Sequence, residues 1–138
     1  MVQIRFKKTI EINSDIEKIW NIISDISKIP EFWHGTREVN KINDNEYMVR
    51  FAFPQKGWVS FASSRENYSL TENYLSGPFK GFTKNSIFQK NGKTVLATEW
   101  NIKLSPLLAL FSPKLTNHFE AGAENALDRI KKFSENLN

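Results

Sequence analysis

Hydrophobic and polar residues alternate along the first part of the chain. This period of two predicts a β-strand over residues 2–12, because successive side chains of a strand point to opposite faces. The apolar face of this strand carries Ile4, Phe6, Ile10 and Ile12. Lys8 falls on the same face and interrupts it.

A helical period replaces the alternation after this strand. Apolar residues recur at the i, i+3, i+4 and i+7 spacing of one helix face, namely Ile16, Ile19, Trp20 and Ile23. We expect Ser14 to be the N-cap, with Glu17 three residues later completing a capping box. Ser24 and Asp25 then favour a second short helix, which Pro30 should end or restart.

From about residue 35 the period returns to two, and turn residues divide the chain into short segments. The predicted strands cover 35–43, 46–53, a segment around Val59 and Phe61, 71–76, 82–90 and 93–104. Asn91-Gly92 is the strongest hairpin signal. Because neighbouring strands are joined by short turns, they should form an antiparallel sheet with one apolar face.

The last segment predicts a long helix. Ser112 and Pro113 suit the N-cap and the first helical position, after the apolar run Leu107–Phe111. Its expected buried stripe is Leu115, Phe119, Gly122, Ala126, Ile130, Phe133 and Leu137. The predicted fold class is therefore α+β: a curved antiparallel sheet of six to seven strands, in the order β-α-α-β6-α, wrapped around a long C-terminal helix.

Composition narrows the class of protein. The 138 residues fit one domain, 1–138, and the absence of cysteine excludes disulfides and thiolate sites. The net charge of +4 is spread along the chain, so we expect no nucleic-acid partner. The N-terminus has no apolar signal region, and the run Leu107–Phe111 is too short to span a bilayer. We therefore expect a cytoplasmic protein without integral membrane association.

Two stretches resemble a known superfamily. Ile10–Ser14, Ile19-Trp20 and Ile29–Phe32 look like the N-terminal part of the polyketide cyclase and coenzyme Q-binding branch of the Bet v 1/START-like (SRPBCC) superfamily. Leu75–Phe82 is similar to the Gly-Pro-Phe segment of that branch, and a hairpin ending at Leu104-Ser105-Pro106 follows, as it does there. The resemblance covers nearly the whole chain and implies the helix-grip fold.

The same resemblance says less about activity. The strand Lys84–Phe88 is more polar than its counterpart in the branch, where an aromatic residue commonly follows in a Gly-x-Trp context. The superfamily places carriers, cyclases, receptors and accessory proteins on one scaffold. No catalytic residue is carried over, because the branch has no invariant catalytic motif that matches this chain.

Motifs for metal, nucleotide or nucleophilic chemistry are missing from the sequence. The two histidines, His34 and His118, are too few and too far apart for a zinc site, so we expect no metal and no cofactor. Arg65 and Glu66 are adjacent, so only one of them can face inward on a strand. An inward charge there would be paired or would serve a ligand.

Aromatic residues are the most informative feature, with 11 Phe, 4 Trp and 3 Tyr. They fill a core or line a pocket; the sequence leaves both open, and the resemblance favours a pocket. Gly122, Ala123 and Ala126 make the centre of the last helix small, which either brings the helix close to the sheet or leaves empty volume. The expected pocket lining is Trp20, Phe32, Trp33, Tyr47, Phe51, Phe53, Phe61, Arg65, Phe79, Thr98, Trp100, Phe111, Phe119, Ala123 and Ala126. Its candidate polar anchors are Tyr47, Arg65, Asn73 and Thr98.

Three functions follow as hypotheses. The first is a non-enzymatic binder or carrier of an apolar small molecule such as a lipid, an isoprenoid or quinone, or a polycyclic compound, entering between residues 26–36, the hairpin turns and the start of the last helix. The second is a cyclase- or dehydratase-like enzyme, which requires an inward ionisable group with a displaced pKa beside a cavity. The third is a ribosome- or protein-associating module, which requires the apolar segment Leu107–Leu115 to be exposed.

Overall fold

One antiparallel sheet is the frame of the molecule. The computed structural model describes residues 2–52 and 55–136, apart from the side chain of Ser112. Within these residues seven strands form the sheet in the order β1-β7-β6-β5-β4-β3-β2. The strands are β1 (Gln3–Ile12), β2 (Thr36–Lys41), β3 (Tyr47–Phe51), β4 (Lys56–Ser64), β5 (Ser69–Ser76), β6 (Phe79–Lys90) and β7 (Lys93–Leu104). With the long C-terminal helix, the predicted α+β helix-grip architecture is confirmed.

Helices lie before β2 and after β7. They are α1 (Ile16–Ile23), a 3-10 turn (Ile26–Lys28), α2 (Ile29–Phe32), α3 (Pro106–Ala109) and α4 (Ser112–Asn136). None of the described helices is both long and apolar enough to cross a membrane. The predicted start of the long helix at Ser112 is confirmed, whereas the capping role of the Ser112 side chain and the burial of Leu137 lie outside the described residues.

The predicted N-cap of α1 is wrong by one residue. Asp15, in an extended conformation, caps the helix by accepting a hydrogen bond from the Glu17 N–H at 3.2 Å. The Ser14 hydroxyl instead donates to the Ser134 carbonyl oxygen of α4 at 3.5 Å. Ser14 therefore connects the start of α1 to the last helix, and Asp15 caps α1.

The β6–β7 hairpin follows from its turn residues. Asn91 and Gly92 both have positive φ angles, 53° and 78°, as the tight two-residue turns of hairpins require. The strands then pair without a break from Lys90 opposite Lys93 to Phe79 opposite Leu104. This register turns Leu96, Thr98 and Trp100 of β7 toward the concave face, as the alternation predicts.

The position of α4 decides which part of the concave face is covered. The helix packs mainly against β1, with smaller contacts to β7, α1 and α2. Its buried residues are Phe119, Ala123, Ala126, Leu127, Ile130 and Ser134. The predicted stripe is therefore partly wrong: Gly122 and Phe133 are exposed, because the helix turns residues 123, 127 and 130 toward the sheet and α1. The concave face of β3–β6 is left facing open space.

Candidate functional site

A pocket of about 710 Å³ lies between α4 and the uncovered part of the sheet. Strands β3 to β7 form its floor and far wall, α4 forms the near wall, and the α2–β2 corner closes one end. The sheet contributes Phe51, Ala52, Phe61, Leu70, Glu72, Tyr74, Phe79, Thr83, Asn85 and Trp100. The corner and the helix contribute Ile29, Trp33, His34, Gly35, Thr36, Phe111, Lys114, Leu115, His118, Phe119, Ala121, Gly122, Asn125 and Arg129.

Aromatic rings in mutual contact make most of the wall. Trp100 lies between Phe119 of α4, at 5.5 Å between ring centroids, and Trp33 of the corner, at 6.1 Å. Phe79 contacts Phe119 at 6.1 Å and also packs on Phe51 at 5.0 Å and on Tyr74 at 4.7 Å. Rings held by other rings form a rigid apolar surface, which suits a planar or polycyclic ligand.

The small residues at the centre of α4, Gly122, Ala123 and Ala126, both let the helix pack closely and leave empty volume beside it. Ala123 and Ala126 are fully buried, so their short side chains let the helix approach the structure beneath it. Gly122 is on the pocket side, where an added Cβ would meet no atom within 4 Å. Close packing and empty volume therefore occur on neighbouring faces of the same helical turn.

A cluster of polar side chains lies on the pocket floor. Glu72 and Tyr74 of β5 and Thr83 and Asn85 of β6 all point inward, because they alternate with outward residues and the two strands are in register. The Tyr74 hydroxyl donates to Glu72 Oε1 at 3.3 Å and lies 3.3 Å from Thr83 Oγ1. No lysine, arginine or histidine of the described residues forms an ion pair with Glu72.

Burial dominates the electrostatics of this cluster. The Glu72 side chain is partly accessible from the pocket but is surrounded by protein, and this burial raises its pKa to about 7, although the Tyr74 hydrogen bond acts in the opposite direction. Burial, followed by the charge of Glu72, raises the pKa of Tyr74 well above its ordinary value. Glu72 is therefore a carboxyl group that exchanges its proton near neutral pH.

Asn85 adds an unsatisfied group to the same floor. Its Oδ1 atom is buried and has no hydrogen-bond partner among the described residues. The neighbouring Thr98 of β7 is fully buried and accepts a hydrogen bond from Trp100 Nε1 at 3.1 Å. Buried polar atoms are rarely left unpaired in folded proteins, and an unpaired one beside a pocket points to a missing ligand or water.

Part of the pocket wall lies beside α3 at the first turns of α4. Phe111 and Lys114 line the pocket there, and the large side chains that precede them in the chain, Leu107 and Leu110, are 62% and 76% exposed. The exposure that the association hypothesis requires is therefore present for part of the segment 107–115. Farther along α4, Arg129 Nη1 donates to the Phe32 carbonyl oxygen at 2.9 Å and connects α4 to the end of α2.

The structure brings seven of the predicted lining residues to the pocket: Trp33, Phe51, Phe61, Phe79, Trp100, Phe111 and Phe119. Trp20 and Phe32 lie instead in the core around α1, and Tyr47 packs on Phe61 at 5.1 Å without lining the pocket. Ala123 and Ala126 face the packed side of α4, and Thr98 lies beneath Trp100. Phe53 lies outside the described residues.

None of the four candidate polar anchors is among the lining residues: besides Tyr47 and Thr98, the remaining two lie elsewhere. Arg65 is exposed in the β4–β5 loop and pairs with Glu17 at 2.8 Å, which also accepts from the Tyr68 hydroxyl at 2.8 Å. Asn73 alternates with Glu72 and Tyr74 and so lies on the opposite sheet face. The sequence reasoning missed the Glu72, Tyr74, Thr83 and Asn85 cluster. One signal could have found part of it. Leu70 is apolar and buried, and in a strand the residues two and four positions later, Glu72 and Tyr74, lie on the same face, whereas Thr71 and Asn73 lie on the other.

No group of three His, Asp or Glu side chains within residues 2–52 and 55–136 has the arrangement of a metal site. The floor of the pocket holds one titratable carboxyl, a tyrosine and two neutral polar side chains beside the aromatic wall. The corner and α4 add further polar groups, namely His34, Thr36, Lys114, His118, Asn125 and Arg129. Together these groups can bury an apolar body, hydrogen-bond a polar substituent and exchange a proton with it.

Comparison with known proteins places the fold. No family model and no curated protein matches the sequence. Among solved structures, a START superfamily protein from Mycobacterium smegmatis superposes with a TM-score of 0.76 at 16% identity, over 97% of this chain and 99% of that one. The Zhui aromatase/cyclase from Streptomyces sp. R1128 gives a TM-score of 0.70 at 12% identity, over 97% and 94%.

A third structure shows the same unit inside a longer protein. The di-domain aromatase/cyclase StfQ of the steffimycin biosynthetic pathway superposes with a TM-score of 0.74 at 11% identity, over 99% of this chain and 52% of that one. At such identities the likeness establishes the fold and leaves activity open. The chain therefore has the same fold as these START superfamily and aromatase/cyclase structures, which is the helix-grip fold that the sequence resemblance implied.

Proposed function

We propose that this protein binds or carries an apolar small molecule in the pocket between the sheet and α4. The observation that carries the proposal is the aromatic pocket of about 710 Å³ with a few polar groups gathered on its floor. Ligand sites for small molecules typically have about 300–1,000 Å³ and this same distribution of apolar wall and few polar groups. That residues 1–138 act as a single domain in the cytoplasm stays a prediction.

The ligand classes that fit are a lipid, an isoprenoid or quinone, or a polycyclic compound. Burial of apolar area supplies about 25 cal/mol per Å², from which the cost of association must be subtracted. The contacting rings of Trp33, Trp100 and Phe119 favour a ligand with fused rings, because flat surfaces pack on one another. The START-like and aromatase/cyclase neighbours support a role of this kind for the fold, without specifying a ligand.

Native mass spectrometry of protein purified from its own host tests the proposal. We expect a co-purified hydrophobic compound and saturable binding of an apolar fluorescent probe. Gly122→Phe should abolish probe binding, because its side chain enters the open space beside Gly122. Asn117→Phe places the same side chain at an exposed position of α4 that does not line the pocket, and should bind the probe like the unmodified protein. Repeated absence of ligand and of saturable probe binding would contradict the proposal.

A second candidate function is general acid–base catalysis of the cyclase or dehydratase type. Glu72 is the observation that favours it, since burial raises the pKa of this pocket carboxyl to about 7 and Tyr74 lies within hydrogen-bond distance. Such a group can remove a proton next to a carbonyl group and return it to oxygen.

The exchange of carbon-bound protons for deuterium tests this second candidate. With 2-tetralone, a bicyclic ketone, NMR in D₂O should show faster loss of the protons next to the carbonyl when the protein is present. Glu72→Gln should remove the acceleration. Exchange no faster than in buffer would exclude Glu72 as a base toward this type of ketone.

A further inference from the structure

We propose that the pocket selects apolar ligands whose inner end carries an uncharged oxygen, a carbonyl or a hydroxyl, and rejects the corresponding carboxylates. This inference rests on the proposed binding function and adds the chemistry of the ligand's head group. Its basis is the location of every polar group on the floor in one patch formed by Glu72, Tyr74, Thr83 and Asn85.

The patch is compact because two strands place its members side by side. Glu72 is opposite Thr83, and Leu70 is opposite Asn85, so Glu72 and Asn85 are diagonal neighbours across the β5–β6 pair. Diagonal positions of an antiparallel pair are about 7–8 Å apart, within reach of one head group. A ligand that enters with its apolar body against Trp33 and Trp100 would meet both side chains with the same end.

The direction of the hydrogen bonds shows which groups remain for a ligand. When the Tyr74 hydroxyl donates to Glu72 Oε1, its own oxygen accepts from Thr83 Oγ1. The second oxygen of Glu72 has no hydrogen bond within the described part of the chain, and Asn85 Oδ1 has none either. Rotation of the Asn85 amide exchanges its donor and acceptor, so this residue can serve either partner of a neutral head group.

No positively charged side chain of the described residues acts on Glu72, so an anionic head beside it would find no counter-charge. Tyr74 of β5 is the titratable neighbour in direct contact, and β6 supplies only the neutral Thr83 and Asn85. The titratable and charged groups that face the pocket from other elements are His34 of the α2–β2 corner and Lys114, His118 and Arg129 of α4. None of them forms an ion pair with Glu72. A ligand carboxylate beside Glu72 would therefore be an unpaired charge in a poorly solvated site, and it would also face a like charge once Glu72 ionises.

Protonation makes Glu72 a hydrogen-bond donor. Burial raises the pKa of Glu72 to about 7, so at mildly acidic pH its free oxygen carries the proton that a ligand carbonyl can accept. Ionisation at higher pH removes that donor and turns two acceptors toward each other. The affinity for a carbonyl ligand should therefore fall as the pH rises through the pKa of Glu72.

A series of ligands with one ring system and different heads tests the selection. Calorimetric titration at about pH 6 compares naphthalene, 2-acetonaphthone, 2-naphthol, 2-naphthoate and 2-(aminomethyl)naphthalene. We expect the ketone and the alcohol to bind about tenfold or more tightly than the carboxylate and the ammonium compound, and more tightly than naphthalene. Equal affinity across the series, or tightest binding of either charged compound, overturns the head-group selection alone. Failure of all five to bind overturns the proposed function as well.

The pH dependence assigns the selection to Glu72. If only the protonated form binds 2-acetonaphthone, its affinity should fall about tenfold between about pH 6 and about pH 8. Glu72→Gln keeps the size and the hydrogen-bonding groups but cannot ionise, so its affinity should not change over this range. Glu66→Gln, at an exposed position of the β4–β5 loop, should keep the full dependence. The same slope in Glu72→Gln as in the unmodified protein overturns the assignment.

A measurement on the unmodified protein removes any dependence on the folding of the variant. The carboxyl ¹³C resonance of Glu72 reports its titration by NMR. Because binding and protonation are linked, saturation with 2-acetonaphthone should move the titration midpoint to higher pH. An unchanged or lowered midpoint with the ketone bound overturns the proposal.

Discussion

Glu72 combines two properties that rarely occur together in a carboxyl group: it lies inside the fold, and it lacks a cationic partner among the described residues. Its pKa is raised, from an unperturbed 4.5 to about 7, mainly by burial. The folded protein therefore holds this proton more strongly than the unfolded chain does. The stabilisation is fully present below about pH 4.5 and is lost as the pH rises through about 7.

Replacement of Glu72 by Gln should therefore change stability in a pH-dependent way. At pH values above the pKa of Glu72, the native protein has lost up to about 3 kcal/mol of this stabilisation, since each unit of pKa shift corresponds to about 1.4 kcal/mol. We expect Glu72→Gln to be more stable than the unmodified protein at about pH 8 and nearly equal to it at about pH 4.5. Urea unfolding at both pH values measures the difference. A variant that is less stable at the higher pH would contradict the burial of an unpaired carboxylate.

At the scale of elements, α4 has two neighbouring faces with opposite responses to added volume. Gly122→Ala should raise the free energy of unfolding by about 0.5–1 kcal/mol, because alanine favours the helix and its methyl group meets nothing within 4 Å. Ala126→Leu should lower it by about 1–3 kcal/mol, because the added atoms enter a fully buried position. Denaturant unfolding of both variants measures whether the free energy of unfolding rises in the first and falls in the second. Equal effects would mean that α4 presents different residues to the sheet.

The short helix α3 is a surface element despite its leucines. Leu110 is 76% exposed, so Leu110→Asn should change the free energy of unfolding by no more than about 0.5 kcal/mol. Leu104→Asn, six residues earlier and fully buried at the end of β7, should destabilise strongly and is the matched contrast. Thermal unfolding distinguishes the two cases.

The same exposed segment bears on the association hypothesis. If the protein associates with ribosomes through α3, it should co-sediment with them in a salt-sensitive way, and Leu110→Asn should weaken the association. Absence of co-sedimentation, or equal co-sedimentation of Leu110→Asn and the unmodified protein, would contradict association with ribosomes through the exposed leucines.

For the whole molecule, occupancy of the pocket should appear as global stability. A ligand present at about a hundred times its dissociation constant adds about 2.7 kcal/mol to the free energy of unfolding. We expect this increase with a neutral fused-ring ligand such as 2-acetonaphthone and its loss in Gly122→Phe, with Asn117→Phe as the control. A thermal shift that survives Gly122→Phe would locate the ligand outside this pocket.

Much of this architecture could be predicted from local signals. The alternation of residues 2–12 and 93–104, the Asn91-Gly92 turn and the stripe Ile16–Ile23 depend on neighbours along the chain, and each produced its expected element. The N-cap of α1 was misplaced because the Ser14 hydroxyl is used by Ser134, which is 120 residues away. A contact of that range leaves no trace in the sequence near Ser14.

The candidate site was less accessible to the same reasoning. Alternation by itself turns Glu72 and Tyr74 to the same face as Leu70. Charged residues are usually exposed, however, so the sequence pattern does not single out Glu72 as an anchor inside the pocket. The sequence allows Arg65 to face inward, yet it lies past the end of β4 and pairs with Glu17 of α1. Which polar residues face the pocket depends on where each strand ends as much as on its alternation.

The sequence by itself determined the order of the elements and the apolar face of each strand, because periodicity and turn chemistry act over a few residues. Only the tertiary structure decided where α4 lies across the sheet. The helix packs mainly against β1, so the concave face of β3–β6 stays open, and Glu72, Tyr74, Thr83 and Asn85 meet on its floor. The physical reason is that the position of a helix on a sheet depends on packing between residues that are distant in sequence, such as Leu127 and Ile130 of α4 in one core cluster with Ile12 of β1 and Ile19 of α1.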